Sequence, residues 1–268
     1  MKTSENPMSA EALYNAVGRR KSSRTYNGLR IDRPVIAELG EIIGALHPLL
    51  PGVSLPVIKI VDNDSADGRL GTYGVISGAR QYFVMAAAKS PSAQVQAGYM
   101  FEQLILAATV LGLDTCWLGG TFRRGRFAQV AGDCGDREVS IVSPTGHSTP
   151  KMRFAERMMR RVVKSDRRKP FGELFSGVAP DSAVGKLLEA VRLAPSSSNS
   201  QPWRATVDKS DGDLTIRFSC TTSNSFSAID MGIAYAHFLI ASAACGFRWS
   251  IHNQDTPLSL VFRLERRG

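Results

Sequence analysis

A polar loop between two prolines contains the residue types in this sequence that are best suited to binding chemistry. It reads Pro195-Ser196-Ser197-Ser198-Asn199-Ser200-Gln201-Pro202-Trp203. Its hydroxyl and amide groups are carried on small side chains, which suits a polar, planar ligand that the backbone must approach closely. Ser, Asn and Pro are also common turn residues, so an ordinary turn is the alternative interpretation.

The elements on either side of this loop can be predicted from the spacing of apolar residues. Val184, Leu187, Leu188 and Val191 recur at the period of one buried helix face, and Asp181-Ser182 provides a start signal for that helix. A short strand is predicted after the loop, near residues 204–207. The loop is therefore expected to connect a helix to a strand.

Composition excludes several classes of protein. The 268 residues are 43% hydrophobic and 21% charged, which is enough to build a sizeable core in one large domain or two ordinary ones. The longest apolar run, Leu104–Leu113, is too short to span a bilayer, and the N-terminal residues have no secretory pattern. Four cysteines without a Cys-x-x-Cys pair indicate free thiols and a cytoplasmic location, and the histidines show no metal-ligand spacing.

The net charge of +9 raises the possibility of nucleic-acid binding. Most of the excess lies in one segment, residues 151–169, which contains nine Lys or Arg residues and two acidic ones. The charge is thus not spread over a basic face with interleaved aromatic residues. A solvated linker that partly serves a phosphate site is the simpler interpretation, and we expect no nucleic-acid partner.

Two apolar helices, predicted at Gly98–Leu113 and Gly232–Phe247, suggest an internal repeat. Their first glycines are 134 residues apart, and the same offset relates Leu104 to Phe238 and Gly112 to Gly246. We interpret the chain as two copies of one α+β unit, residues 1–150 and 170–268, joined by the basic linker 151–169. A chance similarity between two apolar helices is the alternative.

Each predicted copy lacks the polar motif that the other contains. In the first copy the position of the polar loop is occupied by Pro48–Pro56, which keeps the bounding prolines and loses nearly all polar groups. In the second copy the basic stretch Arg19–Arg24 is replaced by Arg167–Phe171, and the turn Trp117–Gly120 is replaced by Trp249–His252. This pattern indicates one site built from both copies.

The stretch Ala194–Trp203 resembles the flavin-facing loop of the nitroreductase family, whose members use FMN. The basic start, the Gly-Gly turn after the first central helix, and Gly146-His147 followed by Lys151 and Arg153 resemble the other family motifs in the same order. The sequence is most similar to the two-repeat branch called putative TM nitroreductases. The resemblance implies a nitroreductase-like α+β fold, with antiparallel-rich sheets flanked by helices.

The family is typically dimeric, with FMN bound across the subunit interface. The resemblance therefore implies a dimer fused into one polypeptide, acting as a monomeric pseudo-dimer with one preserved FMN site. The residues implied at the phosphate and ribityl end are Arg20, Lys21 and Ser22, closed by Lys151 and Arg153. Arg24 would reach the pyrimidine edge, where a cation stabilises the anionic reduced ring.

The remaining implied contacts involve the isoalloxazine ring. The turn Trp117-Leu118-Gly119-Gly120 would pass along the ring, with a backbone N–H near Gly119 facing N5, because glycine permits close approach. The second copy would supply the other wall through Pro195, Ser196, Ser197 and Asn199. No side-chain acid or base is evident, which is typical of chemistry carried by a cofactor.

The implied activity is that of an FMN-dependent oxidoreductase. NAD(P)H would reduce the flavin at N5 and leave, and a small electron-poor acceptor such as a nitroaromatic or a quinone would then take the electrons at the same face. The alternative is a flavin-binding carrier or sensor without turnover, in which residues 151–169 form a partner surface.

Overall fold

The structure, a computed structural model, describes residues 6–63, 70–149, 157–158, 167–210 and 213–266. The helices are α1 (Ala10–Val17), α2 (Arg33–Gly44), α3 (Pro91–Val110), α4 (Arg124–Ala131), α5 (Phe171–Leu174), α6 (Ala183–Leu193) and α7 (Ser227–Ala244). The strands are β1 (Val57–Asp62), β2 (Gln81–Ala87), β3 (Asp114–Thr115), β4 (Glu138–Gly146), β5 (Phe175–Ser176), β6 (Trp203–Ser210), β7 (Asp213–Cys220), β8 (Phe247–Thr256) and β9 (Ser259–Arg266).

The strands form two sheets, one in each half of the chain. The first sheet has the order β1-β2-β4-β3 and is antiparallel throughout. The second has the order β5-β6-β7-β9-β8 and is antiparallel except for the parallel pair β5 and β6. The prediction of an α+β fold with antiparallel-rich sheets and flanking helices is confirmed.

The two central helices are present, but both begin earlier than the sequence pattern predicted. Helix α3 begins at Pro91, because Ser90 is its N-cap and accepts a hydrogen bond from the backbone N–H of Ala93. Helix α7 begins at Ser227 and ends at Ala244. Gly246 has a φ of 78°, which ends this helix and leads into β8, a strand that the sequence analysis missed.

Helices α3 and α7 cross at two glycines that allow their backbones to touch. A Cβ atom on Gly98 would lie 2.3 Å from the carbonyl oxygen of Ile229, and one on Gly232 would lie 2.1 Å from that of Val95. The contacts are reciprocal, since each glycine meets a residue that precedes the other glycine on its helix. This crossing joins the two halves of the chain through one hydrophobic core.

Helix α7 is long and apolar enough to cross a membrane by length and composition alone. In the fold, however, 83% of its apolar window is buried inside the protein. It packs against α3, α1 and α6, and large side chains such as Phe238 and Tyr235 are fully buried. Its apolar character is thus that of a central core helix.

Candidate functional site

A cavity of about 520 Å³ lies between the two halves of the chain. The first half contributes the end of α1, the segment that follows it and the turn after β3, and the second half contributes the polar loop and the first turns of α7. Every predicted site residue within the described part of the chain lines this cavity: Arg20, Lys21, Ser22, Arg24, Trp117, Leu118, Gly119, Gly120, Pro195, Ser196, Ser197 and Asn199. Lys151 and Arg153 lie outside the described residues.

The basic segment after α1 is fixed to the first sheet by backbone and carboxylate contacts. Ser22 forms a bridge with Thr115, and the N–H of Ser23 donates to the Thr115 carbonyl oxygen at 2.9 Å. The Asp114 carboxylate accepts from the Ser23 hydroxyl at 3.1 Å and from the backbone N–H of Ser148 at 3.0 Å. These contacts hold Arg20 to Arg24 against the cavity.

Hydrogen bonds fix the first two residues of the glycine turn, Trp117 and Leu118. Leu118 exchanges two backbone hydrogen bonds with Val142 of β4, at 2.9 and 3.1 Å. The Trp117 indole Nε1–H donates to Oε2 of Glu102 on α3 at 2.9 Å. The turn therefore has a fixed position relative to both the sheet and the central helix.

A buried chain of hydrogen bonds continues from this tryptophan into the second half. Glu102 Oε1 lies 2.8 Å from Nε2 of His237 on α7, and both side chains are fully buried. His237 Nδ1 lies 2.9 Å from the carbonyl oxygen of Ala190 on α6, and a carbonyl only accepts, so Nδ1 carries a proton. A second proton must then lie between Nε2 and Glu102. The chain links three helices to the wall of the cavity.

The polar loop has a strained backbone. Ser198, Asn199 and Gln201 have φ values of 50°, 56° and 48°, which are uncommon for residues other than glycine. The Ser196 hydroxyl accepts from the N–H of Gln201 at 2.9 Å, and the Gln201 side chain accepts from the N–H of Lys169 at 2.9 Å. Strained backbone of this kind clusters at ligand clamps, which favours a binding role over an ordinary turn.

Asp230, on the first turn of α7, is a cavity residue that the sequence analysis missed. Its side chain is buried, with 2% of the residue exposed, and Oδ1 accepts from the backbone N–H of Ser197 at 2.9 Å. Its Oδ2 is buried without a hydrogen-bond partner among the described residues. Burial raises the pKa of this carboxyl to about 7, although the Ser197 N–H acts in the opposite direction. The predicted helix began at Gly232, so Asp230 lay outside it, whereas the structure has Asp230 in the first turn of the helix.

Two further cavity residues were not predicted as site residues. Phe226 packs directly on the glycine turn, since a Cβ atom on Gly119 would lie 2.4 Å from its ring. Arg168, which the sequence analysis placed in the basic linker, lines the cavity and donates from Nη1 to Asn199 Oδ1 at 3.0 Å. Nothing in the local pattern distinguished Arg168 from the other basic residues of that segment.

The raised pKa of Asp230 predicts a pH-dependent effect on stability. Between about pH 4 and about pH 7 the carboxyl is protonated in the folded chain and ionised in the unfolded chain, so the free energy of unfolding falls as the pH rises through this window. Asp230→Asn removes the ionisable group, so the free energy of unfolding no longer falls for this reason as the pH rises. The amide oxygen can still accept the hydrogen bond from the backbone N–H of Ser197. We expect the variant to unfold a few degrees above wild type at pH 7, with a smaller difference at pH 4.5.

The exposed Asp208→Asn variant serves as the control for this measurement, because it makes the same chemical change without burial. Thermal unfolding followed by circular dichroism at the two pH values measures both variants. If the unfolding temperatures of Asp230→Asn and wild type differed by the same amount at both pH values, the raised pKa of Asp230 would be contradicted.

These features define a class: an α+β protein with two antiparallel-rich sheets and a basic, polar cavity between its halves. The family described as "Putative TM nitroreductase" matches residues 12–242, and the chain belongs to this family. The family membership expected from the sequence motifs is thereby confirmed. A comparison with the curated proteins finds no match.

A solved structure described as a putative nitroreductase shares the fold, and two further matches are to nitroreductases over about half of this chain. A Thermotoga maritima protein, described as a putative nitroreductase, is 17% identical with a TM-score of 0.63, and the match covers 96% of this chain and 94% of that protein. A Bacteroides fragilis nitroreductase with bound FMN is 16% identical with a TM-score of 0.42, covering 53% and 91%. An FMN-dependent nitroreductase of Clostridium difficile is 15% identical with a TM-score of 0.42, covering 52% and 88%.

Proposed function

We propose that this protein is an FMN-dependent oxidoreductase of the nitroreductase type. The observation that carries the proposal is the cavity itself, which brings the basic segment, the glycine turn and the polar loop together from opposite halves of the chain. Its volume of about 520 Å³ lies in the range typical of cofactor sites. General oxidoreductase activity follows from the family, and the particular cofactor, donor and acceptor are our proposal.

The donor groups of the cavity fit the phosphate and polar edge of FMN. Arg20, Lys21 and Ser22 supply cationic and hydroxyl donors suited to a phosphate dianion. Arg168 adds a further cation to the same cavity. We assign Arg24, which is 9% exposed, to the pyrimidine edge, where a buried cation stabilises negative charge on the reduced ring. Lys151 and Arg153 remain proposed phosphate ligands.

The apolar and glycine-rich part of the cavity fits the flat ring. All eight of the following residues line the cavity, and we assign Trp117, Leu118, Gly119 and Gly120 to one face of the ring and Pro195, Ser196, Ser197 and Asn199 to the other. A flavin bound here supplies the hydride chemistry. The residues of the chain orient the ring and exclude water from it, with Ile229 and Ile233 of α7 adding apolar surface.

We further infer that the chain is a fused pseudo-dimer of residues 1–150 and 170–268, joined by 151–169, and that it acts as a monomer. The reciprocal contacts of Gly98 and Gly232 support this, because reciprocal contacts are typical of a two-fold interface. Gln96 also corresponds to Asp230 at the offset of 134 residues. Its Oε1 accepts from the backbone N–H of Leu50 at 2.9 Å, just as Asp230 accepts from Ser197.

The same correspondence supports a single FMN site per chain. Leu49 and Leu50, in the counterpart of the polar loop, are buried in the core and present no polar side chain to a ligand. We propose a cytoplasmic enzyme that takes electrons from NAD(P)H and passes them to a small nitroaromatic or quinone.

The experiment that tests the function is an absorbance spectrum of the purified protein, with released flavin quantified per chain, before and after NADPH is added anaerobically. We expect about one FMN per chain, bleached by NADPH. Two FMN per chain would contradict the single-site inference. Bound flavin that stays oxidised with both NADH and NADPH would favour a carrier or sensor, and no flavin after reconstitution would contradict the proposed function.

A further inference from the structure

We propose that Asp230 is the proton donor to the electron acceptor reduced in this cavity, an inference that rests on the proposed function. The acceptor, of the quinone class, gains a hydride from the reduced flavin and a proton from the Asp230 carboxyl, and so becomes a hydroquinone. The carboxylate that remains is reprotonated from water. The two electrons come from NAD(P)H by way of the flavin.

The placement of Asp230 suits this role. Its backbone N–H donates to the carbonyl oxygen of Phe226 at 2.8 Å, so the two residues lie one helical turn apart on α7. Phe226 packs on Gly119, the residue assigned to the reactive edge of the flavin, and Ser197, which Asp230 binds, belongs to the opposite wall. Asp230 therefore binds the polar loop and lies one helical turn from the residue that packs on the glycine turn.

One oxygen of the Asp230 carboxyl accepts a hydrogen bond, and the other has no partner among the described residues. Oδ1 holds the polar loop through Ser197, whereas Oδ2 is buried without a hydrogen-bond partner among the described residues, on a residue that lines the cavity. A buried, unpartnered carboxyl oxygen is costly as a purely structural feature, because its polar atom has lost water and gained nothing. A ligand in the cavity would give Oδ2 a partner.

The counterpart of Asp230 shows that holding the loop does not require an ionisable group. Gln96 binds the corresponding loop through Oε1, which accepts from the N–H groups of Leu49 and Leu50 at 3.0 and 2.9 Å. An amide oxygen is thus sufficient for that role. The carboxyl at position 230 adds a capacity that the amide lacks, the ability to release and regain a proton.

The electrostatic surroundings keep that proton available near neutral pH. Burial raises the pKa of Asp230 to about 7, which is the range in which a general acid works best. The charged residues that line the same cavity within the described part of the chain are cations: Arg20, Lys21, Arg24 and Arg168. They favour the carboxylate that remains after the proton is transferred.

The test compares two acceptors in flavin-loaded protein reduced with NADPH. 1,4-Benzoquinone takes up protons when it is reduced, and ferricyanide takes only electrons. We expect Asp230→Asn, which keeps the bond to Ser197, to slow reoxidation by benzoquinone about 100-fold more than it slows reoxidation by ferricyanide. Asp230→Glu should restore part of the benzoquinone rate, and Asp208→Asn should match wild type with both acceptors.

A second readout does not depend on turnover. Infrared difference spectra of the purified protein across pH 5 to 9 should contain the carbonyl band of a protonated carboxyl that titrates near pH 7 in wild type and is absent in Asp230→Asn. Equal benzoquinone rates for wild type and Asp230→Asn, or an equal loss with both acceptors, would overturn the proton-donor proposal alone. Wild-type protein that holds no FMN or reduces neither acceptor would overturn the proposed function and this proposal with it.

Discussion

Gly232→Ala is expected to destabilise the protein by roughly 3 kcal/mol or more, which is enough to compromise folding. The added methyl group would lie 2.1 Å from the carbonyl oxygen of Val95 and 2.7 Å from the backbone nitrogen of Tyr99. Both obstacles are main-chain atoms of α3, so no rotamer change can relieve the overlap. The two central helices would have to move apart, and the core that joins the halves of the chain would open with them.

Gly40→Ala is the matched control for this prediction. Gly40 also lies within a helix, α2, but a Cβ atom there would meet no atom within 4 Å. The same substitution should raise stability at this position by up to about 1 kcal/mol, because alanine is the better helix former. Chemical denaturation of both variants measures the two effects. If Gly232→Ala were as stable as Gly40→Ala, the close crossing of α3 and α7 would be wrong.

Arg20→Ala and Asn199→Ala are each expected to weaken FMN binding by roughly 10- to 100-fold, which corresponds to the loss of one hydrogen bond to a charged group or its equivalent. The two residues lie in opposite halves of the chain and line the same cavity. Arg20 is a proposed phosphate ligand. Asn199 also accepts from Arg168 and donates to the carbonyl oxygen of Arg167, so its loss removes one of the contacts that position a second cation.

Arg19→Ala is the control for charge, because it removes the same charge from the adjacent residue. Arg19 is exposed and does not line the cavity, and its Nε donates to the carbonyl oxygen of Asn15. Flavin titration followed by fluorescence quenching gives the dissociation constant of each variant. Unchanged affinity in both Arg20→Ala and Asn199→Ala would refute a site shared between the halves. If Arg20→Ala lost no more affinity than Arg19→Ala, the effect of Arg20 would be explained by net charge alone.

The residues of the polar loop and of the glycine turn were predicted as ligand-binding candidates from sequence alone. The signal of the polar loop is local, small polar side chains between Pro195 and Pro202, whereas the turn at Gly119 and Gly120 was implied by its resemblance to a family motif. The apolar periodicity likewise predicted the central helices, since burial of one helix in a core demands apolar residues on most of its faces. Their starts were wrong by several residues, because the first helix begins directly after its N-cap Ser90 and the second begins at Ser227, both ahead of the glycines that open the repeat pattern.

Only the tertiary structure decided which polar residues meet. Asp230 and Arg168 are ordinary acidic and basic residues in sequence, and their relation to the cavity depends on the crossing of α3 and α7 and on the return of the chain at Lys169. The pKa of Asp230 has the same origin, because burial is a property of the packed core and has no local signature. The sequence by itself determined the family, the presence of the two central helices and the polar segments of the cavity. The long-range packing decided which side chains share that cavity and which carboxyl is buried there with a raised pKa.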